Sequence, residues 1–75
     1  MGQRGKIEEA IVQFRQAIEL NPDYDDAHFN LAVALQMKDE WEEAVHHYRE
    51  TIRINPSYRN AQSKLDQALS QIEVE

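Results

Sequence analysis

Residues 21–24 read Asn-Pro-Asp-Tyr, and residues 55–58 read Asn-Pro-Ser-Tyr, 34 positions further along the chain. The residue before a proline is disfavoured in the helical conformation and proline cannot continue a helix, so each segment is expected to end one. When the chain is shifted by 34 positions, twelve residues match, including Glu8-Glu9-Ala10 with Glu42-Glu43-Ala44. The sequence therefore contains an internal repeat, and the two Asn-Pro segments mark its period.

Between these breaks the apolar residues recur at three- and four-residue steps, which is the spacing of one face of an α-helix. The pattern predicts four helices, at about residues 6–20, 24–37, 40–54 and 58–72. Asp23 and Ser57 are predicted N-caps, and Asp39 with Glu42 has the spacing of a capping box. Helices joined by such short turns pack as antiparallel neighbours. We therefore predict an all-α fold of antiparallel helix-turn-helix repeats.

Length, composition and charge exclude several functions. A chain of 75 residues is about half of a typical domain, which argues against an enzyme domain with its own cofactor cleft. It has no cysteine, and its net charge of −6 disfavours binding to nucleic acid and to anionic lipid. The longest apolar run, residues 31–35, is too short to span a membrane, and residues 1–4 do not lead into a signal peptide. We expect a cytoplasmic protein without cofactor, nucleic acid or membrane partner.

The repeat resembles the tetratricopeptide repeat, a two-helix unit of 34 residues. The motif residues are His28-x2-Leu31-Ala32-x2-Leu35, then Ala44-x3-Tyr48, then Pro56. By this resemblance residues 25–58 form one complete repeat, residues 1–24 the second half of a repeat, and residues 59–75 the first half of another. Two positions depart from the family pattern, since His28 stands where a large apolar residue is frequent and Asp39 where glycine is common.

The two ends of the chain are predicted to differ. Asp66 stands in register with Ala32, and because burying an unpaired aspartate at a helix crossing is costly, the last helix is expected to be a solubilising C-terminal cap. The first helix instead has a broad apolar stripe, and residues 1–4 are too few to form a helix that covers it. We expect the C-terminal end of a longer array, in which an exposed apolar surface promotes self-association into a homo-oligomer. That surface consists of Ile7, Ala10, Ile11 and Phe14.

The resemblance also implies a function, because the first helix of each tetratricopeptide repeat lines a concave groove that binds a peptide or another protein. The corresponding residues here are Asp26, Phe29, Asn30, Val33 and Met37 from the second helix, and Asn60, Ser63, Lys64, Gln67 and Gln71 from the fourth. The five positions of the second helix share one face by their spacing. For its apolar members the alternative is packing against neighbouring helices.

Catalytic and metal sites have little support. No glycine-rich phosphate loop, His-Glu-x-x-His motif or serine nucleophile with a recognisable base is present. His46 and His47 lie four residues after Glu42 and Glu43, but neighbouring positions point about 100° apart on a helix, so we interpret them as a solvated face rather than metal ligands. His28 is interpreted as a packed histidine.

The best interpretation is a non-enzymatic module that binds a protein or peptide on the concave helix face. One alternative is a structural unit that assembles through the incomplete N-terminal helix. Another is a substrate-recognition arm of a larger enzyme, whose catalytic residues would lie elsewhere.

Overall fold

Four α-helices form the fold. The computed structural model describes the backbone of residues 2–72 and the side chains of residues 5–72, and no strand occurs in that part of the chain. The helices are α1 (Gly2–Leu20), α2 (Asp25–Met37), α3 (Trp41–Ile54) and α4 (Ala61–Ile72). The predicted all-α fold is therefore confirmed. Residue 1 and residues 73–75, which belong to the first and last predicted half repeats, lie outside the described residues.

Each helix packs against the next one in the chain. The Cα atoms extend over 31 × 29 × 17 Å, and the shortest dimension corresponds to two layers of helices, since packed helix axes lie about 8–10 Å apart. Arg15 of α1 also reaches α3, where its guanidinium donates to both carboxylate oxygens of Glu43 at 2.7 and 3.3 Å. This contact connects two helices that are not consecutive in the chain.

The core is centred on the α2–α3 hairpin. Leu31, Ala32, Ala44 and Tyr48 have no exposed surface, and Leu35 is also buried. Alanine at positions 32 and 44 leaves room for the two backbones to approach closely, so the larger side chains fill the space on either side. The buried Tyr48 hydroxyl donates a hydrogen bond of 2.6 Å to Oε1 of Gln36. Its polar oxygen therefore has a hydrogen-bond partner inside the fold.

Helix α4 packs through one narrow stripe. Ala61, Leu65 and Ala68 are buried, whereas Asp66 is exposed and accepts a hydrogen bond of 3.2 Å from the side chain of Gln62. In α4, the face that carries Asp66 is therefore polar and in contact with solvent, whereas the equivalent face of α2, which carries Ala32, is buried.

The prediction that Asp23 and Ser57 are the N-caps of α2 and α4 is wrong. The backbone N–H of Asp23 donates to Oδ1 of Asn21 at 3.2 Å, and that of Ser57 donates to Oδ1 of Asn55 at 3.1 Å. In both Asn-Pro segments the asparagine side chain thus forms the turn. Helix α2 begins one residue later than an Asp23 cap requires, after Tyr24, which makes no side-chain capping bond.

The predicted capping box at Asp39 is also wrong, because Glu40 occupies the N-cap position of α3 without a side-chain capping bond. Asp39 instead adopts a left-handed conformation with φ 62°, and Asn60 does the same with φ 69°. Aspartate and asparagine tolerate this region better than other residues that carry a β-carbon. The left-handed Asn60 explains why α4 begins at Ala61 and not at residue 58.

The left-handed turn makes position 39 sensitive to side-chain shape. Asp39→Val is expected to lower the free energy of unfolding by about 1 kcal/mol, because a β-branched side chain crowds the backbone in this conformation. Asp39→Gly, the matched control, is expected to leave stability unchanged or to raise it. Urea unfolding followed by circular dichroism measures both, and a valine variant as stable as the glycine variant would contradict the assigned turn.

Candidate interaction surface

An apolar groove runs between α1 and α2. Its volume is about 290 Å³, and we refer to it as the α1–α2 groove. It is lined by Lys6, Ile7, Ala10 and Phe14 from α1 and by Asn30, Val33, Ala34 and Met37 from α2. On both helices these residues recur at three- and four-residue steps, so each helix contributes one stripe to a shared surface.

The groove joins two surfaces that the sequence predicted separately. The predicted partner-binding face included Asn30, Val33 and Met37. The predicted self-association face included Ile7, Ala10 and Phe14. All six residues line the α1–α2 groove. Met37 is 62% exposed, and Val33 and Phe14 are half-buried because they also pack against the core. Val33 and Met37 of the second helix are therefore partly packed and partly exposed, and a role in partner binding stays a prediction.

Ile11 does not belong to this exposed surface, and its predicted position there is wrong. Only 5% of its surface is exposed, and it lies in the core cluster with Leu31 and Leu35 of α2. The stripe of α1 is wide enough to have two halves. One half, which includes Ile11, packs against the core, and the other, with Ala10, faces the groove.

The internal repeat reveals what covers such a surface elsewhere in the molecule. Helices α1 and α3 occupy equivalent positions of the repeat, and α2 packs on α3. Residues 44, 47, 48 and 51 of α3 are all buried, whereas the equivalent residues 10, 14 and 17 of α1 are half-buried and residue 13 is exposed. Ile11 and its equivalent Val45 are buried in both cases. Two of these residues, Ala10 and Phe14, line the groove, so the groove overlaps the site on α1 that corresponds to the site of α2 on α3.

The remaining predicted residues of α2 face the chain segment before α4. The phenyl ring of Phe29 lies between the rings of Tyr48 and Tyr58, at centroid distances of 5.7 and 4.8 Å. The Tyr58 hydroxyl donates to Oδ1 of Asp26 at 2.6 Å, and burial together with this bond raises the pKa of Tyr58 to about 12. Asp26 is thus held by an intramolecular partner.

The predicted residues of α4 and the segment before it lie outside the α1–α2 groove. Asn60, Ser63, Gln67 and Gln71 are exposed and Lys64 is half-buried. Asn60 has a local structural role, because its carbonyl accepts the backbone N–H of Lys64 at 2.9 Å at the start of α4. A role of these residues in partner binding stays a prediction.

A second hollow, of about 320 Å³, lies between the start of α3 and the end of α4. It is lined by Asp39, Glu40, Trp41, Glu42, Glu43, Gln71 and Ile72. Its lining is mainly acidic, in contrast to the apolar groove. The hydrogen bond from Arg15 holds the pKa of Glu43 below its usual value, so this carboxylate stays ionised and paired with the guanidinium.

The histidines of α3 do not form a single solvated face. His46 is exposed, but His47 is 8% exposed and faces His28 of α2, so the predicted interpretation is wrong for His47. His28 is buried, as its interpretation as a packed residue required. Among the residues described, no group of three or more histidine, aspartate or glutamate side chains could hold a metal ion.

Two family models match the chain, and their matches overlap. The model of the TPR repeat matches residues 3–39, and the model of the tetratricopeptide repeat matches residues 25–58. The chain belongs to the tetratricopeptide repeat family. Repeats of this family are generally protein–protein interaction modules.

A relative is found in Methanocaldococcus jannaschii. The two chains are 51% identical over 37 residues, which are 49% of this chain and 43% of that uncharacterised protein. The match thus extends over less than half of either chain. Within residues 2–72, no helix has the length and apolar character needed to cross a membrane.

Sequence reasoning missed three features of this tetratricopeptide repeat chain. Lys6 precedes the apolar stripe of α1 by one residue, and it lines the groove together with Ala34, which is also buried in the core. The hollow beside Trp41 is formed by the start of α3 and the end of α4 together. The sequence pattern of either helix alone therefore does not predict it. Lys6 could have been found from its spacing of four residues to Ala10.

The two halves of the α1 stripe are expected to differ in stability. Ile11→Ala should lower the free energy of unfolding by about 2–4 kcal/mol, because it leaves a cavity in the core. Ile7→Ala, the same change in the groove, should cost less, and Val12→Ala, at a 54% exposed position, should stay within about 0.5 kcal/mol of the parent chain. Equal losses for Ile7→Ala and Ile11→Ala in urea unfolding would contradict the division of the stripe.

Proposed function

We propose that this chain is a protein-interaction module that binds an amphipathic helix of a partner protein in the α1–α2 groove. The observation that carries the proposal is the comparison between α1 and α3. Two residues of the α3 surface that α2 covers, Ala44 and Tyr48, have their counterparts in Ala10 and Phe14 of the groove, which are apolar and only partly buried. A helix is the secondary structure that fits this surface elsewhere in the same molecule.

The contacts of α2 indicate the sequence pattern that such a helix needs. On α2 the crossing residue is Ala32, flanked by Leu31 and followed three residues later by Leu35, and all three are buried. On α1 the equivalent of Ala44 is Ala10, which is equally small. The bound helix is therefore expected to place a small residue over Ala10 and large apolar residues on both sides of it.

Charge distinguishes a partner protein from a second copy of the chain. Two copies would each carry a net charge of −6, and like charges weaken association at moderate ionic strength. A helix with lysine or arginine beside its apolar stripe would be attracted instead. Lys6, in the lining of the groove, offers a cation to a carboxylate or to the C-terminal end of the bound helix.

The groove also requires little rearrangement for binding. Its walls are two helices that already pack against each other, so the ordering cost of binding falls mainly on the ligand. Apart from Lys6, Asn30 is the polar residue of the lining, and its amide donor and acceptor help to orient a bound segment. The other predicted partner-binding residues lie outside the groove lining and remain candidates for additional contacts with the partner; they are Asp26, Phe29, Asn60, Lys64 and Gln67.

The test uses a synthetic peptide of about four helical turns. It carries the Leu-Ala-x-x-Leu pattern of α2 and lysines at the remaining exposed positions, with a fluorophore at one end. We expect fluorescence anisotropy to show saturable binding to the parent chain. Combining Val33→Ser with Met37→Ser should weaken binding about tenfold or more, because two apolar contacts are lost.

Val12→Ser is the matched control, since it removes an exposed aliphatic side chain of α1 that is absent from the groove lining. A peptide with serine in place of both leucines controls for purely electrostatic attraction. Equal binding by the groove variant and the control variant would contradict the proposed site. Sedimentation that shows a stable dimer, dissociated by the groove variant, would favour self-assembly instead.

A further inference from the structure

Two buried histidines are hydrogen-bonded to each other across the α2–α3 hairpin. Nδ1 of His28 and Nδ1 of His47 are 2.9 Å apart, and the rings are stacked with centroids 5.1 Å apart. His28 and His47 are 5% and 8% exposed. Neither histidine lines the α1–α2 groove, so the proposed interaction function does not use this pair.

The surrounding acceptors decide where the protons of the pair lie. Nε2 of His28 is 2.9 Å from the carbonyl oxygen of Pro22, and because a carbonyl only accepts, this nitrogen carries a proton. A neutral His28 then has a lone pair on Nδ1. His47 must therefore donate its Nδ1 proton to His28, which leaves Nε2 of His47 unprotonated, 3.6 Å from Oε2 of Glu43.

Every element around the pair contributes to its electrostatics. Helix α3 contributes Glu43 and the exposed His46 beside the pair. It also contributes Glu50, whose pKa is lowered mainly by its hydrogen bond from Arg53 and to a smaller extent by His46 and His28. Helix α1 contributes Arg15, which binds Glu43. The segment before α2 contributes the Pro22 carbonyl, while α4 packs with the apolar Ala61, Leu65 and Ala68 buried.

We propose that the His28–His47 pair is an acid-sensitive element that holds α2 against α3 in its uncharged form and separates the two helices when both rings are protonated. A first proton can bind at Nε2 of His47, facing Glu43, without breaking any of the hydrogen bonds. The only site for a second proton is Nδ1 of His28. That proton would meet the N–H of His47, so the bond between the rings is lost and two cations lie in contact inside the fold.

The direction of the pH dependence follows from the number of protons bound. Burial, with smaller effects of His46 and His28, lowers the pKa of His47 to about 4, whereas an unfolded histidine titrates near about 6.5. Between these values the unfolded chain binds more protons than the folded chain, so stability is complete above the unfolded pKa and falls as the pH is lowered towards the folded one. Separation of α2 from α3 also removes the support of one wall of the α1–α2 groove.

The test compares His47→Asn with His46→Asn by urea unfolding from about pH 6.5 to pH 5, above the range in which ordinary carboxylates titrate. Asparagine at position 47 can still donate to His28 but does not bind a proton. The unfolding equilibrium constant of the parent chain should rise more steeply with acidification than that of His47→Asn, by up to about tenfold per pH unit. His46→Asn removes the exposed neighbour, whose effect on the pKa of His47 is smaller than that of burial, and should stay closer to the parent curve than His47→Asn does.

A measurement on the parent chain keeps the proposal testable if His47→Asn does not fold. Nitrogen-15 NMR of the imidazole rings should show protonated Nε2 on His28 and protonated Nδ1 on His47 near neutral pH. Identical pH slopes for parent and His47→Asn would overturn the proposal. A folded-state titration of His47 near the ordinary histidine value of about 6.5 would do the same.

Discussion

The close approach of α2 and α3 is the constraint on which the other contacts depend. Ala32 and Ala44 have no exposed surface, and a larger residue at either position would push the backbones apart. The hydrogen bond from Tyr48 to Gln36 and the contact between His28 and His47 both extend across this hairpin. Hydrogen bonds weaken steeply with distance, so these polar contacts require the small residues as much as the apolar core does.

The sequence predicted the helices well because the signal for a helix is repeated along its whole length. The turns were predicted less well because each depends on a single local choice. Asn21 and Asp23 both have a side-chain oxygen that could bond to a nearby backbone N–H, and the one on Asn21 does so. Residue type alone does not distinguish the two, since the choice depends on the path of the chain between packed helices.

The same reasoning explains which parts of the interaction surface were predicted. The spacing of Ile7, Ala10 and Phe14 is enough to assign them to one face of α1. Whether Ile11 lies on the covered or the open half of that face depends on how α1 packs on α2, which no pattern within α1 contains. His47 is similar, because its partner His28 is 19 positions away in the chain and on a different helix.

The internal repeat shows why the histidine pair is confined to one hairpin. The equivalent of His47 in α1 is Gln13, and the equivalent of His28 in α4 is Gln62; both glutamines are exposed. Each half repeat thus has a polar residue at the one of these two positions that it contains, and the polar residues are buried only in the complete repeat. A glutamine can donate and accept without a change of charge, whereas histidine at the same positions adds a proton equilibrium. The complete repeat is therefore the part of the chain in which helix packing and protonation are coupled.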